Sequence, residues 1–146
     1  MDAFLTRHRL IALDTSAFIY FVERHPRYFG VCEEVFRVIE SGRVAACTST
    51  LTLLEILVGP YQSRNEELVL KFYSLLSTYP HLTWMPLTMD VADRAAKIRA
   101  ELRLRTPDSI QAASAVASGA TGFICNDAVF RRVENLECFV LDEHDP

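Results

Sequence analysis

Five short apolar runs, separated by stretches with helical spacing, constrain this chain more than any other feature. They cover residues 10–13, 44–47, 82–85, 122–125 and 138–141. Brief, continuous apolar runs suit strands of a parallel sheet that is covered on both faces. The stretches between them read as helices. Residues 15–23 form a short one that closes near His25-Pro26, because a residue before proline avoids the helical region. Residues 27–41 carry Val31, Val35 and Val38 at helical spacing and stop at Gly42. Residues 49–58 are predicted to end at Gly59-Pro60. Residues 65–79 show an apolar stripe of Leu68, Phe72, Leu75, Leu76 and Tyr79. Residues 88–104 open on Thr88, an N-cap candidate. Thr106 is the N-cap candidate of the last long helix, with Pro107 at its first helical position, and that helix runs to Gly119. Strands alternating with helix pairs predict an α/β fold, a three-layer sandwich around a central five-stranded parallel sheet. Its crossovers are right-handed.

Composition narrows what such a fold does. The chain has 146 residues, a one-domain length, and half of them are hydrophobic. Residues 1–146 are therefore expected to form a single domain. No apolar run approaches the length of a membrane span. The opening residues, MDAFLTRHR, contain no apolar secretory core, so the expected compartment is the cytoplasm. Cys32, Cys47, Cys125 and Cys138 form no C-x-x-C pair and read as reduced core thiols. A net charge of −4 excludes broad, purely electrostatic nucleic-acid binding. It leaves room for a local basic face, and Arg94, Lys97, Arg99, Arg103 and Arg105 fall in one short stretch.

Most of the nineteen acids sit in polar company, where a solvated face explains them. Four do not. Asp14 directly follows the first apolar run, in "RLIALDTSAFIYFVE". Glu55 lies inside "LTLLEILVG". Asp108 opens the small, apolar "TPDSIQAASAV" helix. Asp127 follows the fourth run, in "FICNDAVF". Each has an ordinary reading as a helix cap, a dipole partner or half of an ion pair. Glu55 resists that reading most, because an unpaired ionised carboxylate in apolar surroundings costs several kcal/mol. The topology links them: residues just past the strands' carboxyl ends, as Asp14 and Asp127 are, converge on one crevice of a parallel sheet, and the helix that Asp108 opens feeds the fourth strand and can point its start at the same rim. Two like charges about 4 Å apart repel by roughly 4 kcal/mol at an effective dielectric of 20. A hard divalent cation, Mg²⁺ or Mn²⁺, relieves that repulsion with oxygen ligands. The hydroxyls of Thr15 and Ser16 then orient a carboxylate or a water.

The order Asp14-Thr15-Ser16, Glu55, Asp108, Asn126-Asp127, each in its element, resembles the PIN domain, most of all its VapC-type toxin branch. The resemblance runs from about Leu10 to Leu141. It implies strand order 3-2-1-4-5 and a Mg²⁺- or Mn²⁺-dependent endoribonuclease. It maps the family's acidic quartet onto Asp14, Glu55, Asp108 and Asp127, as catalytic residues and metal ligands. Thr15, Ser16 and Asn126 fall on the supporting polar positions. Cys125 departs from the threonine often found there, and a thiol is the weaker hydrogen-bonding group. The resemblance further implies an RNA substrate, a cognate antitoxin and a homodimer. The Arg94–Arg105 stretch is the expected contact with RNA phosphates. Its ordinary alternative is a solvated helix face shared with Asp90, Asp93 and Glu101. Phe18, Tyr20, Phe21, Tyr28, Phe29 and Phe36 crowd the first two helices, as core or as an apolar groove for a partner.

Two other functions compete. A non-catalytic interaction module on the same fold predicts loss of one or more acids, and all four are present. A phosphoacceptor domain, receiver-like or phosphatase-like, is suggested by "LDTSAF". That chemistry wants a second aspartate where Ser16 stands, and a well-placed lysine. The only lysines, Lys71 and Lys97, lie inside predicted helices.

Overall fold

The computed structural model describes residues 1–144. Five strands, β1 (Leu10–Leu13), β2 (Ala45–Ser49), β3 (Leu82–Met85), β4 (Gly122–Cys125) and β5 (Glu137–Val140), form one sheet in the order β3-β2-β1-β4-β5. Every neighbouring pair is parallel, and Ile11 of β1 lies opposite Ala46 of β2 and Gly122 of β4. The expected strand order and the parallel sheet are both present.

Among the described residues seven α-helices accompany the sheet: α1 (Asp2–Leu5), α2 (Thr15–Val22), α3 (Phe29–Glu40), α4 (Thr50–Gln62), α5 (Glu66–Ser77), α6 (Met89–Leu102) and α7 (Thr106–Ser118). Short 3-10 segments cover Ala128–Arg132 and Leu141–His144. Successive strand residues point to opposite faces, so the apolar runs feed two cores. Ile11, Leu13 and Ile124 pack with Phe18, Phe36, Ile56 and Phe72 of α2–α5. Ala12, Phe123 and Cys125 pack with Ala112 and Ala115 of α7 and with Phe130. Both faces are buried, which is why the strand sequences show no polar alternation. Among the described residues no helix is long and apolar enough to cross a membrane. All four cysteines are free thiols, and all but Cys138 are buried.

Two local expectations need correction. Helix α4 does not stop at Gly59-Pro60 but runs on to Gln62. A mid-helix proline forfeits one backbone hydrogen bond and costs about 3 kcal/mol in isolation. Here Pro60 is buried along with Ile56 and Leu57, and packing against α5 carries the helix through. The turn then closes through Ser63 N–H to the Gly59 carbonyl and Asn65 N–H to the Pro60 carbonyl. Helix α7 starts one residue earlier than expected, with Arg105 rather than Thr106 at the N-cap position. Helix α1 carries too few residues for a periodic signal. It docks Phe4 and Leu5 into the core, and Gly122 makes room for it: a Cβ there would lie 2.8 Å from His8 Cδ2 and 2.9 Å from Phe4 Cζ. Gly119 closes α7 in the left-handed conformation (φ 82°).

The strand order sets the stage for a site. The chain moves outward from β1 through β2 to β3, then returns to β4 on the other side of β1. The crossovers diverge between β1 and β4, leaving a crevice beyond the carboxyl ends of those two strands.

Candidate active site

Asp14 stands at that crevice. Its main-chain N–H extends the sheet by donating to the Ile124 carbonyl at 3.0 Å. Its side chain caps α2, where Oδ1 accepts from the main-chain N–H of Ser16 (3.0 Å) and Ala17 (3.4 Å), and from the Ser16 hydroxyl. The Asn126 N–H, from the exit of β4, favours the same carboxylate. Burial nevertheless dominates and pushes the Asp14 carboxyl up to about 6 against the opposing pull of these donors. Among the described residues no lysine, arginine or histidine pairs with Asp14, Glu55 or Asp127.

The other three acids approach from different elements. Glu55, on α4, accepts a hydrogen bond from Thr15 Oγ1 at 2.8 Å, which fastens it to the residue after Asp14. Its surroundings differ from the sequence expectation. Glu55 is exposed, as are Leu54 and Tyr61 at about 60 % each. The apolar stretch LTLLEILVG is therefore not wholly buried, and Glu55 keeps its hydration. Asp108 lies in the first turn of α7, its side chain 17 % exposed, with Oδ2 3.1 Å from Arg105 Nε. Asp127 is exposed and caps the 3-10 segment through the Val129 N–H at 2.9 Å.

A buried polar net registers three of these elements against one another. Gln111 is 5 % exposed, and its Nε2 donates to Thr52 Oγ1 at 2.9 Å and Thr15 Oγ1 at 3.2 Å. Thr52 in turn meets Thr48 Oγ1 at 2.8 Å, and Thr48 donates to the Leu13 carbonyl at 2.8 Å. Gln111 is one helical turn after Asp108, Thr52 one turn before Glu55, and Thr15 next to Asp14. The net therefore ties the backbones carrying all three acids. Sequence reading passed over Gln111, Thr48 and Thr52. The available signal was a glutamine and threonines on otherwise apolar faces, where an unsatisfied polar group is costly.

Of the supporting residues, Ser16 does bond Asp14. Thr15 instead serves Glu55 and the net. Both ends of the Asn126 amide are taken: Nδ2 donates to Tyr20 OH at 2.9 Å, and Oδ1 accepts the Asp142 N–H at 2.7 Å. Asn126 thus braces the β4 exit, helped by Tyr28 OH donating to Asp142 Oδ1 at 2.6 Å. Cys125 Sγ lies 3.4 Å from the Asp127 carbonyl, a thiol in a bracing role. In the basic stretch, Lys97 pairs with Asp93 at 2.9 Å and Arg99 Nη1 donates to the Leu104 carbonyl at 2.6 Å. Arg94 and Arg103 are exposed.

Residues 11–136 match the model of the PIN domain family. The chain is a PIN domain. Solved structures repeat its architecture. VapBC2 from Rickettsia felis, bound to a promoter DNA fragment, superposes with a TM-score of 0.72 at 18 % identity, covering 90 % of this chain and 98 % of the other. DNA-bound VapBC from Salmonella typhimurium gives 0.66 at 23 % identity, with 90 % and 97 % covered. VapBC-1 from nontypeable Haemophilus influenzae gives 0.67 at 20 %, with 91 % and 98 % covered. At these identities the likeness is one of fold. No curated protein matches the sequence.

The PIN fold is associated with divalent-metal nuclease chemistry, and the donors here fit such an ion in type. Among the described residues no three His, Cys, Asp or Glu side chains are gathered as a ready metal cage. Asp14 is a carboxylate without a protein cation among the described residues, and Glu55 is tied to the adjacent Thr15. Mg²⁺ keeps several waters and needs only one or two protein carboxylates.

Beside Glu55 lies an apolar groove of about 960 Å³ between α2, α3, α4 and α5, lined among others by Phe21, Val22, Phe29, Ile56, Leu68 and Phe72. Of the six aromatics in the first helices, Phe21 and Phe29 line this groove, whereas Phe18, Tyr28 and Phe36 belong to the core.

Proposed function

We propose that this PIN domain is a Mg²⁺- or Mn²⁺-dependent endoribonuclease, the toxin of a VapBC-type toxin–antitoxin pair, acting in the cytoplasm. The observation that carries the reading is Asp14. It is a desolvated carboxylate at the switch point of the sheet, without a cation of its own, and Glu55 is hydrogen-bonded to the adjacent threonine. The role of Asp14 as the cap of α2 offsets that burial only in part, so the carboxylate invites a cation from solution.

Asp14 and Asp108 are the proposed direct ligands, with Glu55 and Asp127 completing the site through carboxylate oxygen or through water. A divalent ion held there supplies positive charge for the phosphoryl oxygens and acidifies water for attack on phosphorus. The chain's own residues do the rest. Ser16 and the α2 N–H groups hold the Asp14 carboxylate in one pose. Thr15 holds the Glu55 carboxylate beside the Asp14 segment. Gln111 keeps α7, and with it Asp108, in register. Asp108 would hold the ion in place of its partner Arg105, whose side chain is 78 % exposed and so only weakly held by the pair.

The partner assignments rest on surfaces. The groove beside Glu55 suits the apolar face of an antitoxin helix. The exposed Leu54, Val58 and Tyr61 follow helical spacing along α4, and Met89 at the head of α6 is 89 % exposed, apolar surface that a homodimer would cover. The VapBC structures of the same fold support this reading by analogy.

The decisive experiment is hydrolysis of labelled single-stranded RNA with Mn²⁺. Asp14→Asn is expected to lower the rate by about 1,000-fold, the scale of lost electrostatic stabilisation. Equal cleavage by wild type and variant would assign the activity to a contaminant or another site.

A further inference from the structure

The turn between α6 and α7 gathers guanidinium groups from two distant parts of the chain. Arg103 caps α6 in the left-handed conformation (φ 56°), and Arg105 precedes α7. Arg99 reaches forward to the Leu104 carbonyl. Arg132, from the 3-10 segment after Asp127, crosses over and donates Nη1 to the Leu102 carbonyl at 2.9 Å. Four arginines thus converge on four residues of chain, in a protein of net charge −4. Attraction of cations to a helix C-terminus accounts for Arg99 and Arg132. Each spends one of five donors there and keeps the rest. It does not account for Arg103, which is exposed. Among the described residues, Arg99, Arg103 and Arg132 form no ion pair, and neither Glu101 nor Glu134, the nearest other acids in sequence, neutralises any of the four.

The placement is informative. Arg105 is three residues before Asp108, and Arg132 is five after Asp127. Arg105 pairs with Asp108 at 3.1 Å, so the cluster adjoins that acid on the α6–α7 side of the sheet, whereas the apolar groove is built by α2–α5 on the other. We propose that Arg103, Arg105 and Arg132 form a phosphate rail that grips the backbone of a single-stranded RNA beside the acids, leaving the groove free for a protein partner. The proposal rests on the nuclease reading and deepens it. It narrows the RNA contact expected over Arg94–Arg105 to its end at the α6–α7 turn, and adds Arg132 from after β4. Guanidinium suits the task because its planar fork binds phosphate bidentately.

The test is binding without cleavage: fluorescence anisotropy of a labelled single-stranded RNA in EDTA, across a salt series. Removing one phosphate-binding cation lowers the slope of log affinity against log salt by roughly 0.7. Arg103→Ala, whose side chain forms no ion pair, is expected to give about one such step, and Arg103→Ala with Arg132→Ala about two. Arg37→Ala on α3 should keep the wild-type slope. Unchanged slopes in the single and double variants overturn the rail, as does wild-type protein that fails to bind RNA. Loss of an antitoxin partner by these variants, with RNA binding intact, would make the turn a protein-docking surface and also overturn it. Wild-type binding that depends on these arginines, without Mn²⁺-dependent cleavage, would sink the nuclease reading and leave the rail standing.

Discussion

At the amino edge of the sheet Glu137 is paired with an arginine; at the carboxyl edge Asp14 has no lysine or arginine partner among the described residues. Glu137, the first residue of β5, pairs with Arg7, and His8 Nε2 lies 3.0 Å away without hydrogen-bond alignment. His8 is buried, with Nδ1 2.8 Å from Thr121 Oγ1. Arg7 beside it holds the Glu137 carboxyl below the usual carboxylate range. Asp14 moves the other way, to about 6, because desolvation outweighs its hydrogen bonds. One edge settles its charges internally, as a structural clamp does. The other keeps a charge that the fold would be more stable without, which is how functional sites commonly depart from stability.

The comparison breaks most visibly at Asp14. Asparagine retains the Oδ1 acceptor that caps α2 but removes the desolvated charge. An acid with a raised folded-state pKa loses stability as pH rises through the interval from its unfolded value to its folded one. The advantage of Asp14→Asn should therefore be small near pH 4, grow towards pH 6, and reach up to about 3 kcal/mol at neutral pH. Chemical denaturation at several pH values checks it. Adding Mn²⁺ should stabilise wild type and not the variant. A destabilised Asp14→Asn protein would mean that the carboxylate is structural after all.

A smaller effect sharpens the polar net. Gln111→Leu leaves the Thr15 and Thr52 hydroxyls without their shared donor and should cost about 1–3 kcal/mol. Cleavage at saturating Mn²⁺ should fall beyond what unfolding explains, because α7 and Asp108 lose their register. Stability loss with an unchanged turnover would reduce the net to packing. The smallest effect belongs to the amino edge. The Glu137 side chain is 46 % exposed, so solvent screens the pair and Glu137→Gln should cost less than about 1 kcal/mol. The sign is opposite to that of Asp14. A lowered carboxylate pKa stabilises above the unfolded value, and the difference from wild type should vanish as pH falls through the acid range. RNA cleavage should be unaffected, and added salt should shrink the stability difference.

Much of this molecule was legible from sequence. The apolar runs are strands because both sheet faces are covered, and the helical stripes are helices because each buries one side. Asp14 and Asp127 could be placed beyond β1 and β4 because a parallel sheet has only one edge where strands end. What escaped were the features that depend on partners distant in the chain. Pro60 sits inside a helix because α5 packs against it. Glu55 looks buried in its local string, yet α4 turns that face to solvent. Gln111 is 59 residues from Thr52, and Arg132 is 30 from Leu102, so neither pairing leaves a local pattern. Periodicity by itself determined the layers and which residues stand at the rim, because burial of a face repeats along the chain. Only the tertiary structure decided which polar groups satisfy one another, because a hydrogen bond is specified by a single pair of atoms and repeats nowhere.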